Sequence, residues 1–537
     1  MPTFDPQHHP FSSKRQTVHA LNGMVATTQP LAAQAGLDML KQGGNAIDAA
    51  IATAAMLTVV EPTSNGIGGD AFAIVHHQGK LHGLNGSGRS PKSLTIDAVK
   101  ARGHDTMPKF GVVPVTVPGV PAAWASLAER FGTLPLKTLL APAIHTAKYG
   151  FPVSPTVAHY WHIAARSYQK SVSKDDILPW LETFTNSGKT PAAGSRFLLK
   201  DHAKTLEAIA QSNASAFYKG HLAEKITAYF KSQDGFLSAD DLATHQSEWV
   251  DPIHTVYRGH EVWELPPNTQ GAITLQALNI LKALSFEKAR VEETLHKQIE
   301  ALKLAFSDGL AYISDPAHMP HRITDLLDDT YAKHRAAQIG AAAMNPSAGR
   351  PPKGGTVYLA TADQDGNMVS YIQSNYMGFG SGIVIPGTGI AMQNRGHTFS
   401  LDKDHVNALA PGKKTYHTII PGFLTKDGQA IGPFGVMGGF MQPQGHLQVI
   451  MNTLDFNLNP QAALDAPRWY WEHNKIVHIE ATMPQTIIEG LKRRGHDVKI
   501  TADVGPFGRG QIIWRDPITH VLSGGTEMRA DGSIACF

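Results

Sequence analysis

Apolar and polar positions follow two different periods along this chain, and the change from one to the other falls near residue 355. Before it, three-to-four spacing dominates. "QPLAAQAGLDMLKQGGNAIDAAIATAAMLTVVEP" predicts two helices separated by Gly43-Gly44, with alanines that favour helix and small residues that permit close packing. "GIGGDAFAIVHHQGKLHGLNG" follows as a glycine turn and a two-stranded hairpin. Residues 118 to 345 read as mostly helical, through segments such as "PAAWASLAERFG", "AITLQALNILKAL" and "VEETLHKQIEALKLAFSDGLAYI". From Thr356 the texture becomes short β-rich runs between glycine turns: "TVYLATA", "MVSYIQS", "SGIVIPG", "TIIPGFLT" and "QIIWR". One helix, "HLQVIMNTLD", interrupts them, and no fixed-period repeat is evident. Such blocks predict sheets packed under helices.

Composition narrows the partners. The 537 residues suffice for a large core, and a formal net charge of +2 without a basic run argues against nucleic acid or an anionic membrane surface. The single cysteine, Cys536, excludes an internal disulfide and any multi-cysteine metal site. The N-terminal arm has no apolar core of the kind a signal peptide needs. Ala49 to Val60, the most apolar stretch, is too short to span a bilayer. A cytoplasmic protein is therefore the expectation.

Local signals are weak one at a time. "GIGGD" departs from GxGxxG and precedes a strand, and "SGKT" lacks the leading glycine of a phosphate loop. His76-His77 does not have metal-ligand spacing. "GVMGGF" could be a turn, or a pair of aligned backbone N–H groups of the sort that stabilise an oxyanion. Arg89, in "NGSGRSP", is either a solvated arginine or a carboxylate receptor. "RPPKGG" before Thr356 is either an ordinary turn or a cleavage loop that makes Thr356 an amino terminus.

Five segments in order resolve these ambiguities: "GGNAIDAAIAT", "GIGGDAFAI", the Arg89 loop, "GGTVYLATADQDGNMVS…FGSGIV" and "GVMGG". Over nearly its full length the chain resembles the γ-glutamyltransferase family of N-terminal-nucleophile hydrolases. The resemblance implies an α+β fold, a four-layer αββα sandwich formed jointly by two subunits of one precursor. Cleavage between Gly355 and Thr356 would give a helix-rich large subunit, 1–355, and a strand-rich small one, 356–537. It also implies Thr356 as nucleophile, its freed α-amino group serving as base, directly or through water. Ser374 falls where the family has a hydroxyl beside the nucleophile, Gly438 and Gly439 on the oxyanion glycines, and Arg89 on the arginine that binds the substrate α-carboxylate. No metal or cofactor is implied. The partners would be a small amide, a water or amine acceptor, and the chain's own two pieces as an αβ heterodimer, with a dimer of these left open.

The substrate clamp departs from the family. Tyr376 stands at an asparagine position, with Asn375 shifted by one. In "QNRGHT", Asn394 precedes Arg395, which takes a glutamine position, and Thr398 takes that of the aspartate gripping the α-ammonium group. His417 and Thr418 replace paired serines. A desolvated ammonium without a counter-charge is costly, whereas Arg395 suits a substrate with an extra carboxylate or no ammonium. The pattern looks like the cytoplasmic γ-glutamyltransferase-like branch near cephalosporin and glutaryl acylases and oxamate amidohydrolase. Three readings follow: a self-cleaving hydrolase or acyltransferase for γ-glutamyl amides of the glutathione type, an amidase for oxamate or a glutaryl or cephalosporin-type side chain, and an unprocessed, catalytically silent binding protein.

Overall fold

The computed structural model describes residues 15–287, 289–346 and 355–537. The cleavage-loop residues "RPPKG" and most of the N-terminal arm lie outside the described residues.

Two seven-stranded antiparallel sheets are stacked. The first runs Ser533–Cys536, Gly23–Thr27, Gly355–Asp363, Met368–Tyr376, Asp70–His77, Lys80–Asn85 and Glu248–Val250. The second runs Val18–Ala20, Leu522–Thr526, Arg509–Arg515, Gln429–Met437, Gly422–Lys426, His260–Glu264 and Ile253–Tyr257. Period-two alternation divides every central strand between two cores. In Gly355–Asp363, Tyr358, Ala360 and Ala362 enter the layer between the sheets, while Val357 and Leu359 face helices. In Asp70–His77, Phe72 and Ile74 point inward and Ala71, Ala73 and Val75 outward. Each buried Val, Leu, Ile or Phe among them is worth about 2 kcal/mol of apolar burial.

Helices cover both outer faces. Pro30–Lys41, Ala46–Val60 and Leu136–Tyr149 pack over the first sheet, and Gly271–Lys282, Glu292–Tyr312 and Met441–Leu454 over the second. The break at Gly43-Gly44 works as the sequence suggests. Gly43 has φ 88°, and Asn45 caps the next helix by accepting from Ile47 N and Asp48 N while Asp48 accepts from Asn45 N. All residues of Ala46–Val60 are buried, because sheet and helices enclose it. The αββα expectation therefore holds.

Two details differ from the sequence reading. The helical middle also holds the hairpin Ile253–Tyr257 and His260–Glu264, turned at Arg258-Gly259 with φ of 51° and 75°. Its polar residues hide an alternation in which Thr255 and Tyr257 are the buried positions. The second difference is that "HLQVIMNTLD" is not the lone late helix; Pro460–Asp465 and Gln485–Arg493 accompany a small three-stranded sheet.

A buried charge cluster ties the C-terminal strands to that small sheet. Arg468 donates to Glu527 at 2.8 Å, and Arg529 donates to Glu527 at 2.6 Å and to Glu480 at 2.5 Å. Burial raises the Glu527 pKa, but Arg468 and Arg529 outweigh it and hold the carboxyl at about 2. Glu527→Ala leaves two buried guanidinium groups short of a partner and is expected to cost about 3–5 kcal/mol in urea unfolding at pH 7. Because the folded-state pKa is depressed, the Glu527 contribution is full above its ordinary 4.5 and lost as pH falls toward about 2. An unfolding midpoint unchanged in the variant would refute this role.

Candidate active site

Thr356 stands at a break in the strand ladder. Gly355 pairs with Tyr376 and Val357 with Gln373, so the register shifts between them. A bulge of this kind re-aims a side chain. Thr356 is buried, and its Oγ1 donates to Ser374 Oγ at 3.1 Å on the inner face of the sheet. Ser374 Oγ also accepts from Tyr376 N at 2.8 Å. Tyr376 adopts φ 77°, a conformation a bulky residue holds only when its surroundings impose it.

From Tyr376 the contacts run onward in a ring. The Arg395 guanidinium stacks over the Tyr376 ring at 4.1 Å, and Arg395 Nη1 donates to Thr418 Oγ1 at 2.8 Å. Gln270 Nε2 donates both to Thr418 O at 2.5 Å and to Gly439 O at 2.9 Å. That brings the ring to the glycine pair, where Gly438 has φ 136° and Gly439 φ 63°, after the strand Gln429–Met437. Glycine alone enters both conformations cheaply, so the backbone there can face two N–H groups toward one point. Beside Gly438 opens a cavity of about 480 Å³, walled also by Met377, Gly378, Tyr470 and Arg509.

Electrostatics centre on Asp70, which begins the strand paired with Ser374. Its Oδ1 accepts from Gly88 N and Gln393 Nε2, and its Oδ2 faces His417 Nε2 at 3.1 Å. Burial pushes this carboxyl up to about 7, against the pull of Arg395. His417 is driven well below its ordinary value by burial and by the cations Arg395 and Lys414. It is therefore neutral, and with Ile419 N approaching Nδ1 at 3.4 Å the ring proton belongs on Nε2, toward Asp70. Burial lowers Arg395 to about 10, which leaves it a cation at neutral pH. Its Nε and Nη2, and the Tyr376 hydroxyl, have no hydrogen-bond partner among the described residues.

Arg89, Asn375, Asn394 and Thr398 are each engaged with other groups of the chain. Arg89 is half exposed and held by Glu248 at 3.0 Å, Asp315 at 3.3 Å and Gly412 O, so it is not brought into the ring. Asn375 falls on the opposite strand face from Ser374, with its amide against Gly66 and Gly69, where a Cβ would collide with it. Asn394 pins backbone, accepting from Met377 N and donating to Lys109 O. Thr398 Oγ1 is engaged with Arg395 O, Thr415 Oγ1 and Tyr416 O. The sequence reading missed Asp70, Gln270 and Gln393. An aspartate opening the apolar run "DAFAIV" was the available signal, since a buried carboxylate demands partners. His296, Glu300 and His496 also cluster away from the site, but Lys303 Nζ already lies 2.6 Å from Glu300 Oε1 as its counter-cation.

Stacked antiparallel sheets between helix layers, with a buried hydroxyl at the start of a central strand, define the fold class of the N-terminal-nucleophile hydrolases. The chain belongs to the Gamma-glutamyltranspeptidase family, which it matches over residues 32–537. It is 39% identical to the glutathione hydrolase-like YwrD proenzyme of Bacillus subtilis, over 95% of this chain and 97% of that one. Oxamate amidohydrolase proenzyme of Klebsiella pneumoniae is 33% identical over 96% and 98%. The crystal structure of cephalosporin acylase from Bacillus halodurans superposes with a TM-score of 0.97 and 60% identity, covering 100% of this chain and 99% of that one. No helix among the described residues is long and apolar enough to cross a membrane.

Proposed function

We propose that the chain is a self-cleaving amidohydrolase whose acyl group ends in a carboxylate and carries no ammonium: a glutaryl-type or related amide rather than a γ-glutamyl one. Cleavage at Gly355–Thr356 would give chains 1–355 and 356–537 and free the Thr356 amine. That amine takes the Oγ1 proton as Oγ1 attacks the substrate carbonyl, Gly438 and Gly439 face the oxyanion, and water releases the acyl group from the threonyl ester.

Arg395 carries the substrate part of this reading. It is a buried guanidinium with Nε and Nη2 unpartnered among the described residues, which fits a carboxylate that supplies both acceptors. An ammonium would find no matching receptor. Asp70 is occupied by three donors, and the Thr398 position offers a hydroxyl already engaged. The names of the relatives support both sides of the choice, since glutathione hydrolase-like, oxamate amidohydrolase and cephalosporin acylase chains all align along its length.

Glutaryl p-nitroanilide and γ-glutamyl p-nitroanilide differ only in the ammonium group. Stranding that group unpaired costs more than about 1.4 kcal/mol, so kcat/KM is expected to favour the glutaryl compound by at least about tenfold. Preference for the γ-glutamyl anilide would overturn the substrate assignment and restore the glutathione-type reading. No turnover of either, from a chain that stays whole, would leave the silent binding protein.

A further inference from the structure

Asp70 and His417 are fully buried, and their placement gives them a task. Asp70 is the cross-strand partner of Ser374, which holds the Thr356 hydroxyl. His417 is the residue before Thr418, which holds Arg395. The Asp70 carboxylate, beside the ring, and the Arg395 guanidinium within it are charges of opposite sign, yet Arg395 forms no ion pair among the described residues. Arg395 keeps its free nitrogens while feeling a nearby negative charge across low-dielectric space. Other ionisable groups that face the pair are Lys414, itself paired with Glu248, and the phenols of Tyr218 and Tyr376, which burial keeps neutral.

We infer that Asp70 and His417 form a proton-accepting pair that couples carboxylate binding at Arg395 to the uptake of one proton from solvent. This rests on the carboxylate-receptor reading of Arg395. With Asp70 ionised, ring charge is balanced and an incoming carboxylate adds an uncompensated negative charge. With a proton on the pair, Arg395 stands alone and the carboxylate restores neutrality. The proton goes on Asp70 Oδ2, which then donates to His417 Nε2. The ring proton of His417 moves to Nδ1, at the cost of the long contact from Ile419 N at 3.4 Å. One O–H bond forms, one N–H bond is exchanged, and no other reactant is needed. Binding and protonation are then linked reciprocally. Asp70 and His417 are positioning residues here, acting on substrate through Arg395.

Calorimetry with glutarate as the probe tests this on the whole protein, in buffers of different ionisation enthalpy, so that proton uptake is read directly. Wild type is expected to take up a fraction of a proton per glutarate at neutral pH, rising toward one as the pH is raised. Affinity should fall by about tenfold per pH unit at the alkaline end. Asp70→Asn should bind glutarate with no proton uptake and a flat profile over that range. His417→Gln, which keeps Asp70 ionisable but changes its partner, should retain uptake while moving the midpoint. Glutarate binding without proton uptake in wild type would overturn the coupling and leave the carboxylate receptor standing, even if Asp70→Asn failed to fold. Equal uptake in Asp70→Asn would do the same. Failure of glutarate to bind would overturn the receptor and the coupling together.

Discussion

Thr356→Ala is expected to run as one band near 58 kDa on a denaturing gel, where wild type separates into fragments of roughly 38 and 20 kDa, the shares of 355 and 182 residues. Cleavage by an N-to-O acyl shift needs Oγ1 to attack the Gly355 carbonyl carbon, forming the ester as the Gly355–Thr356 amide breaks. Water then completes the cut and the nitrogen is left as a free amine. Alanine removes the attacking atom in both maturation and catalysis, so amide hydrolysis should fall by at least about 10⁴-fold. Folding should survive. The side chain of Thr356 is small, and the hydrogen bond it loses, to Ser374 at 3.1 Å, is worth about 1 kcal/mol. Thr356→Ser keeps a hydroxyl at the bulge and should still mature. Fragments from the alanine variant, or turnover by it, would remove Thr356 from the proposed role.

The residues that sequence alone assembled share a reason. Thr356, Ser374 and Tyr376 lie on two adjacent strands whose alternation is visible in "TVYLATA" and "MVSYIQS", so their shared region follows from hairpin pairing. Gly438-Gly439 was ambiguous alone, since adjacent glycines also make ordinary turns, and it was the resemblance that singled the pair out. Asn375 lies one step of that same alternation away from Ser374: a single residue of register carries a side chain to the opposite sheet face. Arg89 differs from it in kind. Nothing local reveals that Glu248 and Asp315, far along the chain, would claim its guanidinium. Gln270 reaches Thr418 and Gly439, and Asp70 reaches Gln393 and His417, across more than a hundred residues, so their partners are not visible locally. The hairpin at Ile253–Glu264 was hidden because its polar residues alternate as in a strand but sit among long helices. Tertiary pairing is what the sequence text does not spell out.

Arg395→Met separates a binding role from a structural one. Methionine fills much of the arginine's volume and still packs over Tyr376, but it cannot pair with a carboxylate. Removing one side of a buried, hydrogen-bonded charge pair costs about 3 kcal/mol, so turnover of glutaryl p-nitroanilide should fall about 100-fold, mainly in KM. Butyryl p-nitroanilide, which lacks the carboxylate, should lose nothing and gain in relative preference. Stability should move the other way. Arg395 is buried with two nitrogens unpartnered among the described residues, an arrangement that burdens the fold. The methionine variant should therefore unfold at higher urea concentration, by about 1–3 kcal/mol, despite losing the bond to Thr418. A structural anchor would give the reverse pattern, with lower stability and equal losses on both anilides. Weaker carboxylate recognition together with a more stable fold is the outcome that only a site strained for its substrate produces.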